Sequence, residues 1–381
     1  MPAARVRIGI VGCGKISDNH FQAYRRNPAV EVAAVCDVEP ARAREFAAAR
    51  GIPAAVGSVR ELIGLGVDAI SVCTPHPTHE AVVLEAVEHG VHVLCEKPLS
   101  ITSGSVARMI DAAAEHGVVL ATVFQRRFWE AARRIRSALD EGLLGTPMLG
   151  GVQVLLSRGA EYYDSAPWRG TWAADGGGAL MTQSVHYIDL LTWYFGAPVE
   201  VSAKAGNFTH GDAIEVEDTA AAVVTFASGA IATVAATVSA SPNMGMSLTL
   251  TGSNGATVRL SEYPEGSDAR IEFWAVPGAL EAGEAPLAAG FRADKTVDEV
   301  NADLQPLHAR QLDDFVDALR HGRSPAVTGA DAIRSLHVIE AIYESARTGR
   351  AVRIPGPDDA PEFEHLAATA GAAPAEAVTG A

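Results

Sequence analysis

The stretch Ile8-Gly9-Ile10-Val11-Gly12-Cys13-Gly14-Lys15-Ile16-Ser17 constrains the fold more than any other part of this chain. An apolar run enters it and a helical pattern leaves it. Gly12 permits a tight turn, and Gly14 lets backbone N–H groups approach a pyrophosphate at a helix N-terminus. Ser17 replaces the third glycine of G-x-G-x-x-G and is still small enough for close helix–strand packing. Asp37 follows 23 residues after Gly14, at the end of the next apolar run. A carboxylate there hydrogen-bonds the adenosine ribose hydroxyls and repels a 2′-phosphate, which favours NAD over NADP. Arg42 and Arg44 stand close enough behind it to bend toward such a phosphate.

The same alternation continues through the first 122 residues. Apolar runs near 6–11, 30–36, 54–56, 69–73, 91–95 and 118–123 are separated by helical patterns at 17–26, 40–50, 78–89 and 102–116. Continuous apolar runs suit strands buried on both faces, so the expectation is α/β: a doubly wound, parallel Rossmann sheet. After Phe124 the pattern changes. A helix near 130–139 and a strand near 148–157 lead to a loop rich in Tyr, Trp and Gly, then a long helix at 178–195. Strands follow near 199–208, 219–226, 230–239, 246–251, 256–260 and 270–276, with hairpin turns at Ser228-Gly229 and Asn254-Gly255. This predicts a second, α+β domain with a large open, mostly antiparallel sheet. Helices near 308–321 and 330–348 are free to pack back on the first domain. The expected division is 1–122, 123–355, and a disordered tail at 356–381 that lacks periodicity.

Composition narrows the partners. The 381 residues carry a formal net charge of −16, which argues against nucleic acid. Much of that charge is local: 356–381 contributes −5 and 261–306 contributes −7, leaving −4 elsewhere. The cleft therefore need not be acidic. No apolar run approaches the roughly 18 residues of a membrane span, and the first strand is too short for a signal peptide, so a cytoplasmic protein is expected. Cys13, Cys36, Cys73 and Cys95 show no CxxC spacing and read as buried thiols; no metal site is signalled. Only Lys15, Lys97, Lys204 and Lys295 among the 30 basic residues are lysines. A chain that favours arginine keeps lysine where an amine must be able to lose its proton.

Ligands of doubly wound sheets sit at the carboxyl ends of the strands. Two segments there stand out. Cys73-Thr74-Pro75-His76-Pro77-Thr78-His79 is a loop stiffened by prolines, and Glu96-Lys97-Pro98 follows the fifth strand. In the second domain, Thr182, His186 and Asp189 fall on one face of an otherwise greasy helix, preceded by Gly176-Gly177-Gly178. Such a stripe must face water, a hydrogen-bond network or a ligand cleft. By pattern alone His186 is equally a core histidine and a catalytic one.

Together these segments resemble the Gfo/Idh/MocA family, named for glucose–fructose oxidoreductase and inositol dehydrogenase. The resemblance runs from Arg5 to about Ile354. It rests on the glycine turn, Thr74-Pro75 with His79, Glu96-Lys97-Pro98, Gln125-Arg126-Arg127-Phe128, Trp168-Arg169-Gly170-Thr171-Trp172, the Gly176–Asp189 stretch, Asp314-Phe315 and Ala341-Ile342-Tyr343-Glu344-Ser345. It implies Lys97 and His186 as the catalytic pair beside a nicotinamide. It places Gly12, Gly14, Lys15, Ile16, Asp37, Thr74, Pro75, His79, Glu96, Lys97 and Gln125 around the cofactor. Arg126, Tyr163, Trp168, Arg169, Thr182, His186 and Asp189 become substrate-pocket candidates. Inositol dehydrogenases often carry Asp at the position of Thr182; a hydroxyl cannot be a carboxylate base, which turns the expectation toward pyranosides or sugar derivatives. Ser184 replaces another usual glycine and has no reading.

The implied activity is hydride transfer between a secondary hydroxyl carbon of a sugar or cyclitol and NAD, in a homodimer or homotetramer packed across the second sheet. His186 is the favoured base, with Lys97 orienting the substrate oxygen or itself serving as the base. Two alternatives share the same cofactor domain: an NAD-dependent glycosidase using transient oxidation, and a catalytically inactive dinucleotide-sensing regulator.

Overall fold

A computed structural model of the chain describes residues 5–283 and 294–356. The expected tail therefore lies, apart from Gly356, outside the described residues.

The first sheet is built from β1 (Val6–Val11), β2 (Val30–Cys36), β3 (Ala54–Val56), β4 (Ala69–Val72), β5 (His92–Cys95) and β6 (Leu120–Thr122). Helices α1 (Lys15–Arg26), α2 (Pro40–Arg50), α3 (Val59–Gly64), α4 (His79–Glu88) and α5 (Ser103–Glu115) connect them. The strand order is β3-β2-β1-β4-β5-β6, and every pairing is parallel. This is a Rossmann-type sheet. Strand order reverses between β1 and β4, so the crevice lies above their carboxyl ends. The strands are apolar throughout because helices cover both faces: Ile8, Ile70, Val72, Val93 and Leu94 are fully buried.

The second unit begins with α6 (Glu130–Asp140), β7 (Pro147–Leu155) and α7 (Ala160–Asp164). Then come α8 (Val185–Phe195), β8 (Pro198–Gly206), β9 (Thr219–Phe226), β10 (Ile231–Thr237), β11 (Gly245–Gly252), β12 (Thr257–Glu262), β13 (Arg270–Val276) and β14 (Ala279–Ala282). The chain ends in α9 (Val297–His321), α10 (Gly329–Thr348) and β15 (Val352–Arg353). The nine strands run β14-β13-β12-β11-β7-β10-β9-β8-β15, antiparallel except for β7 with β10. α8 is buried nearly all round, as its Leu, Ile and aromatic content requires. Apolar side chains also remain open on the sheet. Leu149 and Ile231 are direct partners across β7 and β10 and are 52% and 46% exposed.

Two expectations change. The helix expected from residue 308 starts at Val297 and runs straight through Pro306. Proline reads as a helix boundary. Here a Thr296–Glu299 capping box starts the helix, and burial of Val300, Leu304 and Leu307 holds it on both sides of Pro306. α9 packs along α1, with Asn19 Nδ2 donating to the Asn301 carbonyl at 2.9 Å. The second change is at 178–195. Residues Ala179–Ser184 form a π-helical turn before α8 begins. The i, i+4, i+7 spacing therefore does not set Thr182 on one α-helical face with His186 and Asp189.

Candidate active site

The glycine turn has the form a dinucleotide needs. Gly12 has φ +89°, and a Cβ there would lie 2.7 Å from the Cys73 carbonyl oxygen. At Gly14 a Cβ would meet nothing within 4 Å, and the N-terminus of α1 has no side-chain cap. Uncapped N–H groups facing open space fit a pyrophosphate. Ser17 Oγ turns back to the Gly14 carbonyl. Ile16 packs against the core, while the Lys15 ammonium reaches Asp298 of α9 at 2.7 Å on the surface. Asp37 is buried at the end of β2, accepting from Cys13 N and Glu39 N, both at 2.9 Å, with Arg42 at 3.4 Å. Gln125, in a short turn after β6, is buried with its Oε1 unpartnered, an acceptor suited to a cofactor amide.

His79 ties the two switch-point loops together. Its ring nitrogens face the Pro98 carbonyl at 3.0 Å and the Thr74 carbonyl at 2.8 Å. Burial lowers its pKa, although both carbonyls favour the charged ring. Thr74 also accepts from Thr78 Oγ1 at 2.8 Å, and Pro75 caps the turn into α4. These residues shape the loop.

Glu96 looks inward. Its carboxylate meets His20 Nε2 at 2.9 Å and His308 Nε2 at 3.7 Å, and accepts the Lys97 backbone N–H at 3.1 Å. Burial opposes its charge, yet the two histidines hold it well below the usual carboxylate range. Lys97 is half-buried and donates from Nζ to the Thr182 carbonyl at 2.8 Å. Burial, opposed by Glu96 and reinforced by Arg126 and Arg169, brings its amine down to about 8. The Thr182 hydroxyl instead bonds the Gly178 carbonyl at 2.7 Å. Thr182 thus meets Lys97 through its backbone, which sequence reading could not foresee without the π turn.

His186 is 4% exposed, its Nδ1 unpartnered and its ring edge-on to Phe124 at 5.9 Å. Burial, then the Arg126 and Lys97 charges, push its pKa well below the usual histidine value. The triple glycine before it admits protein rather than ligand. A Cβ at Gly177 would lie 2.0 Å from the Tyr343 hydroxyl, and one at Gly178 would lie 1.8 Å from the Glu217 carbonyl oxygen. Glu217 itself accepts from Gly178 N and Leu180 N, both at 2.9 Å.

The remaining substrate candidates separate. Asp189 is taken up in a two-pronged buried pair with Arg127, at 2.7 and 2.6 Å. Arg126 is likewise held by Glu262, at 2.8 and 2.9 Å. Tyr163 turns into a small cluster with Ile214 and Val216. Its neighbour Tyr162 faces the polar side, accepting from Arg169 at 2.6 Å. Trp168 stacks edge-on to His76 at 5.5 Å, and His76 Nδ1 lies 3.7 Å from Asp175 Oδ1. Burial pushes Asp175 up to about 6 and His76 down to about 3. Tyr162, Asp175, His20 and His308 carry no short motif, so only packing reveals them.

Known proteins resemble the chain over most of its length. Residues 6–124 match the family model described as oxidoreductase family, NAD-binding Rossmann fold. Residues 132–258 match the GFO/IDH/MocA C-terminal domain. The WlbA dehydrogenase of Bordetella pertussis, solved with NADH and UDP-GlcNAcA, is 30% identical, with TM-score 0.79 over 92% of this chain and 99% of that one. Myo-inositol 2-dehydrogenase of Thermotoga maritima is 27% identical over 92% of this chain and 98% of its own length. The oxidoreductase YrbE of Bacillus subtilis is 31% identical over 230 residues, 59% of this chain and 65% of that protein.

Proposed function

The chain belongs to the Gfo/Idh/MocA oxidoreductases, and from that premise we propose that it moves a hydride between a secondary hydroxyl carbon of a sugar or cyclitol and NAD. The observation that carries this reading is the electrostatic contrast between Lys97 and His186. Within electrostatic reach of each other stand an amine at about 8 and an imidazole whose charged form is strongly disfavoured. Near pH 7 the first is mostly ammonium and the second is neutral, so one donates a proton and the other can take one.

When bound, NAD would supply the hydride acceptor, held by the backbone at 12–16 and by Asp37, Thr74 and Gln125. The protein's own part is proton handling and alignment. His186 takes the hydroxyl proton. Lys97, aimed by Glu96 behind it and the Thr182 carbonyl beside it, donates to the substrate oxygen as negative charge builds there. The buried Asp37 carboxylate supports NAD over NADP. No carboxylate stands at position 182, which supports a pyranoside or sugar derivative over free inositol. The paired, half-exposed Leu149 and Ile231 support a homodimer or homotetramer covering that face. Four buried thiols without a disulfide among the described residues suit a reducing cytoplasm.

The test is NADH formation, followed by absorbance, against inositols, pyranoses, their phosphates and nucleotide-linked forms. Lys97→Ala should lower turnover by about 10²–10⁴-fold while NADH still binds. Near-normal turnover in that variant would sink the assignment.

A further inference from the structure

Of Arg126, Arg127, Arg158 and Arg169, three are neutralised. Arg126 pairs with Glu262, Arg127 with Asp189 and Asp331, and Arg158 with Glu265 at 2.6 Å. Arg169 differs. Among the described residues it has no carboxylate within ion-pair distance. Its Nη1 donates to the Tyr162 hydroxyl at 2.6 Å, and its Nε is buried with no acceptor. Two rings nonetheless fix the guanidinium, Tyr162 at 4.4 Å and Trp168 at 4.7 Å from ring centroid to guanidinium carbon. Stacking orients a guanidinium without supplying an anion. Asp175 feels the Arg169 charge without pairing with it. Asp175 Oδ2 accepts the Gly170 N–H at 2.7 Å, and its Oδ1 faces His76 Nδ1 at 3.7 Å.

A positioned and partly desolvated cation without a counterion is costly unless a ligand brings one. We infer that Arg169 is the receptor for a carboxylate on the sugar, so that uronates, free or nucleotide-linked, are the substrate class. This rests on the sugar-oxidoreductase reading above and deepens it. Location favours the substrate over the cofactor as the source of the anion. The pyrophosphate cradle is at Gly12–Gly14, against Cys73, whereas Trp168 beside Arg169 lies edge-on to His76, farther along that loop. Arg169 instead acts on Lys97, whose amine its charge depresses. A planar guanidinium whose Nε lacks an acceptor can take a carboxylate through two parallel bonds.

The experiment pairs direct binding with kinetics. Calorimetry on the NADH-loaded protein measures D-glucuronate, D-glucose and D-glucose 6-phosphate, with wild type, Arg169→Met and Arg169→Lys. Wild type should bind glucuronate at least about 10-fold more tightly than glucose. Arg169→Met should weaken glucuronate about 100-fold, the factor expected when one partner of a charged pair is truncated. Glucose binding should change less than about 3-fold, and Arg169→Lys should recover part of the loss. kcat/KM for the nucleotide-linked uronate should fall in parallel, through KM. Equal weakening of glucose and glucuronate would make Arg169 a packing residue and overturn the inference. A preference for the 6-phosphate would also overturn it, as would no glucuronate binding. If glucuronate binds through Arg169 but no sugar reduces NAD, the subsite stands and the dehydrogenase reading fails. If neutral sugars are oxidised without uronate preference, the reverse holds.

Discussion

Replacing Arg127 with Met separates two readings of Asp189. By sequence this aspartate belongs to the substrate pocket; in the structure both its oxygens are engaged by Arg127. Arg127 also reaches Asp331 of α10 at 3.2 Å and lies over Trp193 at 5.1 Å. It therefore clamps α8 to α10. Methionine keeps the stacking volume and removes the charge. Breaking a buried pair by deleting one partner costs about 3–5 kcal/mol. The low end, about 3 kcal/mol, applies here. Burial already holds Asp189 near 6, so it can take a proton rather than stay an unpaired anion, and Asp331 keeps Arg334 and Thr328. For a domain of about 150–250 residues, this corresponds to a Tm loss of about 6–12 °C. The sign with pH follows. Without Arg127 the Asp189 pKa rises further, so the variant is relatively more stable at low pH and loses stability as pH rises through that value. Melting curves by circular dichroism at pH 7.5 and 5.5 should thus show the larger deficit at 7.5. Arg127→Met with Asp189→Leu should recover much of it, and KM at 25 °C should stay within about 3-fold of wild type. An unchanged Tm with a raised KM would refute the clamp and return Asp189 to the substrate.

Three further outcomes are expected. Because Lys97 works as an ammonium and His186 is neutral throughout the accessible range, kcat/KM for sugar oxidation should fall as pH rises through about 8; a profile still climbing there would give the base role to Lys97. Glu96→Gln removes the carboxylate that supports the Lys97 charge, so the same limb should move to lower pH, and an unmoved limb would confine Glu96 to a structural role. Asp37→Ser should raise the NADP:NAD ratio of kcat/KM by roughly 10–100-fold, the factor that about 1.4–2.8 kcal/mol carries, and an unchanged ratio would mean that Asp37 does not face the ribose.

What sequence reading captured was what local pattern controls. Strand–turn–helix order, the glycine turn and the apolar runs of β1, β2, β4 and β5 depend on periodicity and backbone sterics, and these survive in any context. It lost track where tertiary contacts outweigh local preference. A helix is expected only from 308, but the apolar face of α9 against α1 keeps one helix from Val297 through Pro306. Thr182 looked like a side-chain ligand, but the π turn rotates its hydroxyl onto Gly178 and offers its carbonyl to Lys97. Arg126 and Asp189 looked available because their partners, Glu262 and Arg127, are chosen by packing across elements. Tyr163 and Tyr162 are adjacent, and only the packing of α7 decides which one meets Arg169.

The position of His308 ties these observations together. It sits on α9, far along the chain from Glu96, yet it lies on the same carboxylate as His20 of α1. His20 continues to Ser71 at the end of β4 at 3.1 Å, and Ser71 meets the Tyr24 hydroxyl at 2.7 Å. One buried polar chain thus joins α1, β4, the Glu96-Lys97 loop and α9. Such a chain is stable only if its members are satisfied together. The helix that carries the pyrophosphate cradle and the loop that carries the proton donor are therefore braced by shared hydrogen bonds, with α9 closing the chain. The earlier start of α9 has a functional consequence here. Its first three turns place Asn301 against Asn19 and bring His308 into register with Glu96. A helix beginning only at residue 308 would leave that histidine at a frayed end, unable to aim the carboxylate that supports Lys97.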